Sequence, residues 1–414
     1  MEVILIILVA IVLIYGIQVI GVTGDFFNPA FLFIFPITLS VIFHCIYYAP
    51  EYHVSDMTYA VYSISILSFS IGLLLTMGVG KSKFSENTVV YENKYNGTIF
   101  NLYLLLMVLG AVLSLRYLKQ AAQFTLMGSS VLSNIRYYSL FVSQKSGLAK
   151  YGIVFAQVVM NYTLYARIVL GVKTRRLRKI LVLSAFCLLC SISTSLARTT
   201  LLSIILQIVF IISLSINDQS VDKVKRKKNT IKILLIGIGL LIVFNIIASR
   251  TGKLNMGGRW WIVSYLGEEI KSFDKYVLNY SYLTRGTQSL GIIGRLISKF
   301  GVGKNSEIDA YNSMMTLAGG PVSSFAAGPY MDFGIPGSII IMLFYGMAIG
   351  YIYIKHLYRG GIWTLAYSTC TYQCAIAFFA FQFGMSDQIY YLILMFLLLR
   401  TRFGSKENVV LECS

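Results

Sequence analysis

The chain has 414 residues, of which 57% are hydrophobic and 13% charged, and a net charge of +18. A soluble globular chain carries about 25% charged residues, so the composition excludes a soluble fold for want of polar surface. The positive charge comes with no DNA- or RNA-binding signature and is distributed between apolar runs, which points to membrane topology rather than nucleic acid.

A bilayer span needs about 20 apolar residues. Candidate runs occur at 3–20, 28–48, 57–79, 98–115, 151–171, 180–197, 199–216, 231–249, 333–354, 362–384 and 386–399. The expected fold is therefore an all-α integral membrane protein of about 11 spans, in a range of 10 to 12, forming one polytopic domain over 1–414. Glu2 stands where a signal peptide has basic residues, and no small-x-small site follows. The first run is expected to be an uncleaved span.

Two short basic loops set the sidedness. Lys173–Lys179 reads KTRRLRK and Lys223–Lys228 reads KVKRKK. Both are expected on the cytoplasmic side, and two spans separate them. Propagation puts Lys81, Lys83, Lys94, Lys355, Arg359, Arg400, Arg402 and Lys406 on that side as well. Two larger outer segments remain, 116–150 and 250–332, rich enough in apolar and aromatic residues to fold against the membrane. The run 362–384 reads as one unbroken span. Cys187/Cys190 and Cys370/Cys374 lie in apolar runs, where small buried thiols are expected rather than a metal site.

Several chemistry-bearing residues fall on the outer side. Arg198, Arg250 and Asp332 are expected at one depth, the outer membrane boundary. Arg136, Arg259 and Arg285 lie in the two outer segments. A guanidinium binds phosphate through a planar fork and sheds water more easily than ammonium, so arginines here suit an anionic lipid head group. Asp332 suits a helix cap or a functional carboxylate. His53, beside Glu51 and Asp56, is a candidate base. Glu268, Glu269 and Asp274 are outer carboxylates on an amphipathic stretch. Gly334, Pro336 and Gly337 read as backbone punctuation. Trp260, Trp261, Tyr276, Tyr280 and Tyr282 suit either interfacial anchoring or stacking on sugars.

The order of three stretches carries a resemblance. Tyr265-Leu266-Gly267-Glu268-Glu269-Ile270-Lys271-Ser272-Phe273-Asp274 is followed by Asn312…Thr316. Then comes Pro329-Tyr330-Met331-Asp332-Phe333-Gly334 with Gly337. This resembles the Wzy-type oligosaccharide repeat-unit polymerases of bacterial O-antigen and capsule pathways. The turn Ser195-Leu196-Ala197-Arg198-Thr199 resembles an arginine-bearing turn in that family, and Arg136…Gly147 fits its Arg-x10-Gly pattern. Arg250, Arg259 and Arg285 do not fit that spacing.

The resemblance implies a GT-C-like membrane glycosyltransferase in the bacterial inner membrane with a periplasmic active site. The implied reaction moves a growing glycan from undecaprenyl diphosphate onto a new lipid-linked repeat unit. Arg198 and Arg250 would hold the diphosphate, and Asp332, Glu268 and His53 are alternative bases. The implied substrate-binding residues are Arg136, Arg259, Arg285, Tyr330, Asn312, Thr316, Tyr265 and Asp274. No cofactor and no metal are expected. Expected partners are lipid-linked oligosaccharides and membrane lipids, with a chain-length regulator left open, and no nucleic acid. A ligase acting on lipid A core, a lipid-linked oligosaccharide flippase and a receptor are the alternatives. A flippase is expected to show paired halves and broken helices, and the sequence displays neither.

Overall fold

The computed structural model describes residues 1–84, 97–124, 131–142, 147–194, 198–217, 255–256, 259–278, 283–300, 324–383 and 386–399. Helices α1 (Glu2–Thr23) and α2 (Pro29–Tyr47) form an antiparallel hairpin. Gly24, at φ 69°, ends α1 with its N–H on Ile20 O, and Asn28 opens α2 by accepting from Phe31 N. Pro29 follows at the first helical position, where no amide is needed.

Helix α3 (Asp56–Phe84) is followed by α4 (Gly97–Gln123), α5 (Val131–Tyr137) and a π-helical turn at Tyr138–Val142. Then come α6 (Gly147–Ile168), α7 (Arg175–Ser193) and α8 (Arg198–Asn217). Helix α4 runs into the expected outer segment 116–150, and its last turns pack Tyr117 and Ala121 on Ile135 of α5. Beyond α8 lie a two-residue ribbon, β1 (Asn255–Met256) with β2 (Arg259–Trp260), helix α9 (Trp261–Ser272) and a π-helical turn at Phe273–Val277. The chain continues through α10 (Gly291–Lys299), α11 (Ala327–Arg359), α12 (Ile362–Ala375) and α13 (Ser386–Leu399).

Five of these helices are long and apolar enough to cross a membrane: α1, α2, the Asp56–Gly78 part of α3, α4 and α11. Large aliphatic side chains such as Ile4, Ile7, Ile11 and Ile14 are exposed along α1, as a lipid-facing helix requires. The run 231–249 lies outside the described residues.

Small residues let the helices approach. Helices α3 and α11 run parallel, with Gly72 against Leu343–Met347, Gly346 against Phe69 and Gly350 against Thr76. A Cβ on Gly346 would stand 2.2 Å from Phe69 O, and one on Gly72 2.4 Å from Leu343 O. Helices α4 and α6 run antiparallel and touch at Gly110 and Gly152. Such small-residue contacts are the usual means of close helix packing in lipid. A buried amide network ties α6, α8 and α13: Gln157 and Asn161 donate to Gln207 Oε1, and Asn161 also donates to Tyr391 Oη.

The bundle ends sort into two groups. Tyr353 donates to Asp25 (3.0 Å), Tyr367 to Phe27 O, and Gly361 N to Tyr165 Oη (3.0 Å). The α1–α2 turn, the end of α6 and the α11–α12 turn therefore share one end. The loop 48–55, the segments 272–278 and 283–290 and the start of α11 share the other. This is the grouping the basic loops predict.

Two expectations about continuity divide. Gly334 sits at φ 66° and breaks α11 just before Pro336, as the punctuation reading predicts. The unbroken span 362–384 is corrected: α12 stops at Ala375, and Ile376–Phe379 form a turn. Ala380 then bridges Ser324, whose N–H donates to Phe379 O. The bundle thus contains a broken helix. Non-helical backbone inside a membrane fold needs internal partners, and Ser324 supplies one.

Candidate functional site

The segments 263–278 and 283–290 fold onto the end of the bundle opposite the α1–α2 turn, and three attachments hold them there. The first is between α9 and α2. Gly267 lies against Phe43 and the ring of Tyr48, so close that a Cβ would meet Tyr48 at 2.8 Å. His44 Nδ1 pairs with Gly267 O at 3.2 Å. Ser40 Oγ reaches both Leu266 O and Glu269 Oε1. One hydroxyl has one proton to give, so Ser40 divides it between the two acceptors. Glu269 is 0% exposed, and burial pushes its carboxyl well above the ordinary range, with Ser40 opposing in part.

The second attachment is Asp274 at the start of α3. Its carboxylate accepts from Tyr52 Oη (2.8 Å), Ser55 N (3.0 Å), Ser55 Oγ and Thr58 Oγ1 (2.7 Å). Burial alone would raise this carboxyl. The donors from Ser55, Thr58 and Tyr52 outweigh it and hold the group below the usual range, helped by the α3 N-terminus.

The third is Asp332, on the first part of α11. Thr284 Oγ1 and Gln288 N (3.1 Å) donate to Oδ1, and Ser289 donates through N (2.6 Å) and Oγ to Oδ2. Thr284 N and Arg285 N also donate to Met331 O and Asp332 O, and Tyr345 Oη caps the turn at Ser289 O. The carboxylate therefore gathers the turn 284–289 rather than capping its own helix.

That turn presents Arg285. Its backbone is left-handed, at φ 50°, and Gly286 follows at φ 93°. A non-glycine residue in this region is strained and is held there by its surroundings. Here the surroundings are the Asp332 bonds. The Arg285 side chain is exposed, and no carboxylate among the described residues pairs with it.

The predicted residues thus divide. Asp332 is buried with two donors on each oxygen, whereas a base needs an accessible lone pair; Asp274 is buried with three donors on Oδ1 and Tyr52 on Oδ2. Glu268 is half-buried and His53 exposed, and His53 lies in the loop that Asp274 holds. Tyr330 is half-buried with its ring on Phe273 at 5.6 Å. Arg198 opens α8, twelve residues before Phe210, which packs on Phe27 at the far end; a rise of about 18 Å brings its backbone to the Asp332 end. The backbones of Arg136, Arg259 and Tyr265 lie in α5, β2 and α9, with side chains outside the description. Those of Trp260, Trp261 and Tyr276 are likewise undescribed. Arg250, Asn312, Thr316, Tyr280 and Tyr282 lie outside the described residues.

Comparison of the chain with known protein families, curated proteins and solved structures gives no match.

Sequence reasoning gave no role to Ser40, His44, Thr284 and Ser289, and grouped Glu269 with Glu268 and Asp274 as an outer carboxylate without singling it out. A signal existed for Ser40, His44 and Glu269. Ser40 and His44 are polar at i,i+4 inside an apolar run, and residue 269 falls on the same helical stripe as Leu266, Ile270 and Phe273.

The neutral Glu269 has a testable consequence. The folded chain keeps a proton that an unfolded glutamate releases above its ordinary pKa of 4.5. Its contribution to stability is thus fully present below that value and declines as pH rises. Gln mimics the neutral acid. Glu269→Gln should match the parent near pH 4 and exceed it in thermal stability at pH 8. A less stable variant at pH 8 would mean that Glu269 is ionised in the fold.

Proposed function

We propose that this protein is a membrane glycosyltransferase that polymerises polyprenyl-diphosphate-linked oligosaccharide units, acting at the bundle end where Arg285 is displayed. The observation that carries this reading is the strained, Asp332-pinned turn that holds a guanidinium, without a carboxylate partner among the described residues, at the edge of the helical bundle. The resemblance of 195–340 to Wzy-type polymerases, the eleven-span topology, the GT-C-like architecture and the periplasmic orientation belong to the same proposal.

The chemistry is one displacement. An acceptor hydroxyl attacks the anomeric carbon of the donor, the bond to diphosphate breaks, and the electron pair leaves on phosphate. Arg285, with Arg198 and Arg250, stabilises that charge. The hydroxyl proton passes to Glu268 or His53. Asp332 serves by position, fixing Arg285.

The test is purified protein in detergent, given a lipid-linked repeat unit and EDTA and resolved on a gel. A ladder of lengthened lipid-linked products is expected; products on lipid A core instead would indicate a ligase. Arg285→Ala should slow the ladder about 100-fold, the usual loss when one charge-stabilising donor is removed. Arg285→Lys should recover part of it, because a point charge lacks the fork. An undiminished rate in the alanine variant removes Arg285 from the site.

A second reading has one observation in its favour. The break after Ala375, with Ala380 bridging Ser324, is the kind of interrupted helix transporters use. Movement of intact substrate across a liposome bilayer, without lengthening, would decide for it.

A further inference from the structure

The opposite end of the bundle carries a feature the proposed reaction does not use. Helix α7 divides lengthwise into two faces. Ile180, Ser184, Cys187, Leu188 and Ser191 are buried. On the other face, Arg175, Arg178, Lys179, Val182, Leu183 and Phe186 line a groove of about 660 Å³. Their spacing of i, i+3, i+4, i+7, i+8 and i+11 is one continuous helical stripe. Arg176 is turned aside, donating to Asn101 Oδ1 of α4 at 3.4 Å, and is not part of the groove lining.

The stripe changes character once along its length. Three cations occupy the first turns and no acidic residue joins them in the lining. Below them Val182, Leu183 and Phe186 are 65%, 40% and 59% exposed. Lys179 to Phe186 spans about 10 Å of helix, a depth that reaches past a head group into acyl chain. A soluble anion would use the cations alone, whereas a phospholipid uses both halves.

We propose that this face of α7 is a binding site for an anionic diacyl phospholipid, with the phosphate on Arg175, Arg178 and Lys179 and an acyl chain along Val182, Leu183 and Phe186. The same basic end is the one the charge pattern assigns to the cytoplasmic leaflet, where anionic lipid meets basic residues. The site is separate from the Arg285 turn and stands whether or not the protein is a polymerase.

The experiment is native mass spectrometry of the full chain, purified in detergent and titrated with phosphatidylglycerol, phosphatidylcholine or inorganic phosphate. Phosphatidylglycerol should be retained in preference to phosphatidylcholine, and inorganic phosphate should not displace it. The triple variant Arg175→Ala, Arg178→Ala, Lys179→Ala should weaken phosphatidylglycerol binding roughly 100-fold, near a factor of five per cation. Arg176→Ala should leave it unchanged. If the triple variant inserts poorly, Arg178→Gln alone keeps the other loop cations and should weaken binding about five-fold. Equal retention of the two lipids, displacement by phosphate, or undiminished binding in the Arg178 variant would overturn the assignment.

Discussion

Asp332→Asn is expected to lower the stability of the folded chain by about 3 kcal/mol or more and to abolish any activity that depends on Arg285. The carboxylate accepts from Thr284, Gln288 and twice from Ser289 within a fully buried site. Hydrogen bonds to a charged acceptor contribute about 1.5–3 kcal/mol each, and an orphaned buried donor costs about 1–3 kcal/mol. An amide keeps only one acceptor oxygen and turns its own N–H groups toward the Ser289 amide. Ser289→Ala should reproduce part of the loss, about 1.5–3 kcal/mol, because Asp332 then loses one donor. Thermal unfolding in detergent measures both. A chemical role for Asp332 predicts the reverse pattern, with normal stability and lost turnover in Asp332→Asn and no effect in Ser289→Ala.

Gly346→Leu should break the packing of α3 on α11. The α3–α11 crossing leaves no space at residue 346, where a bare Cβ already falls 2.2 Å from Phe69 O and 3.0 Å from its carbonyl carbon. Those neighbours are backbone and have no rotamer to yield. Overpacking commonly costs about 1–3 kcal/mol when side chains can shift; separating two helices forfeits their shared packing in addition. The expected result is loss of the monodisperse species on size-exclusion chromatography in detergent. Gly78→Ala on α3, where nothing lies within 4 Å, should behave as the parent. A monodisperse and equally stable Gly346→Leu protein would show that α3 and α11 are not in contact at this point.

Helices fall on each of the ten apolar runs that lie among the described residues, because run length and hydropathy report directly on helix burial in lipid or protein. The break at Gly334 was legible from Gly334-Ile335-Pro336-Gly337. The break after Ala375 was not. Ile376–Phe383 continues the apolar run without Gly or Pro, and the non-helical backbone there depends on Ser324, some 50 residues upstream. Among the carboxylates, composition cannot separate Glu268 from its neighbour; only the packing of α9 on α2 buries one and leaves the other half-exposed. Asp332 was legible as a residue of consequence, but its partners lie in a turn that no periodicity announces. Arg285 was one arginine among several, and it stands apart through a backbone conformation that the sequence reveals only in the following glycine.

The parallel pairing of α3 with α11 also orders events during synthesis. Gly72 meets Gly346, roughly 270 residues later in the chain. At about 5–20 residues per second, α3 must wait on the order of 15–55 s for the helix it packs against. The face of α3 around Phe69, Gly72 and Thr76 lacks that partner through the interval. The nascent protein therefore needs lipid, a neighbouring helix or an insertion factor to shelter that face, and a chain cut short before α11 never acquires its partner and should be a ready target for membrane proteases.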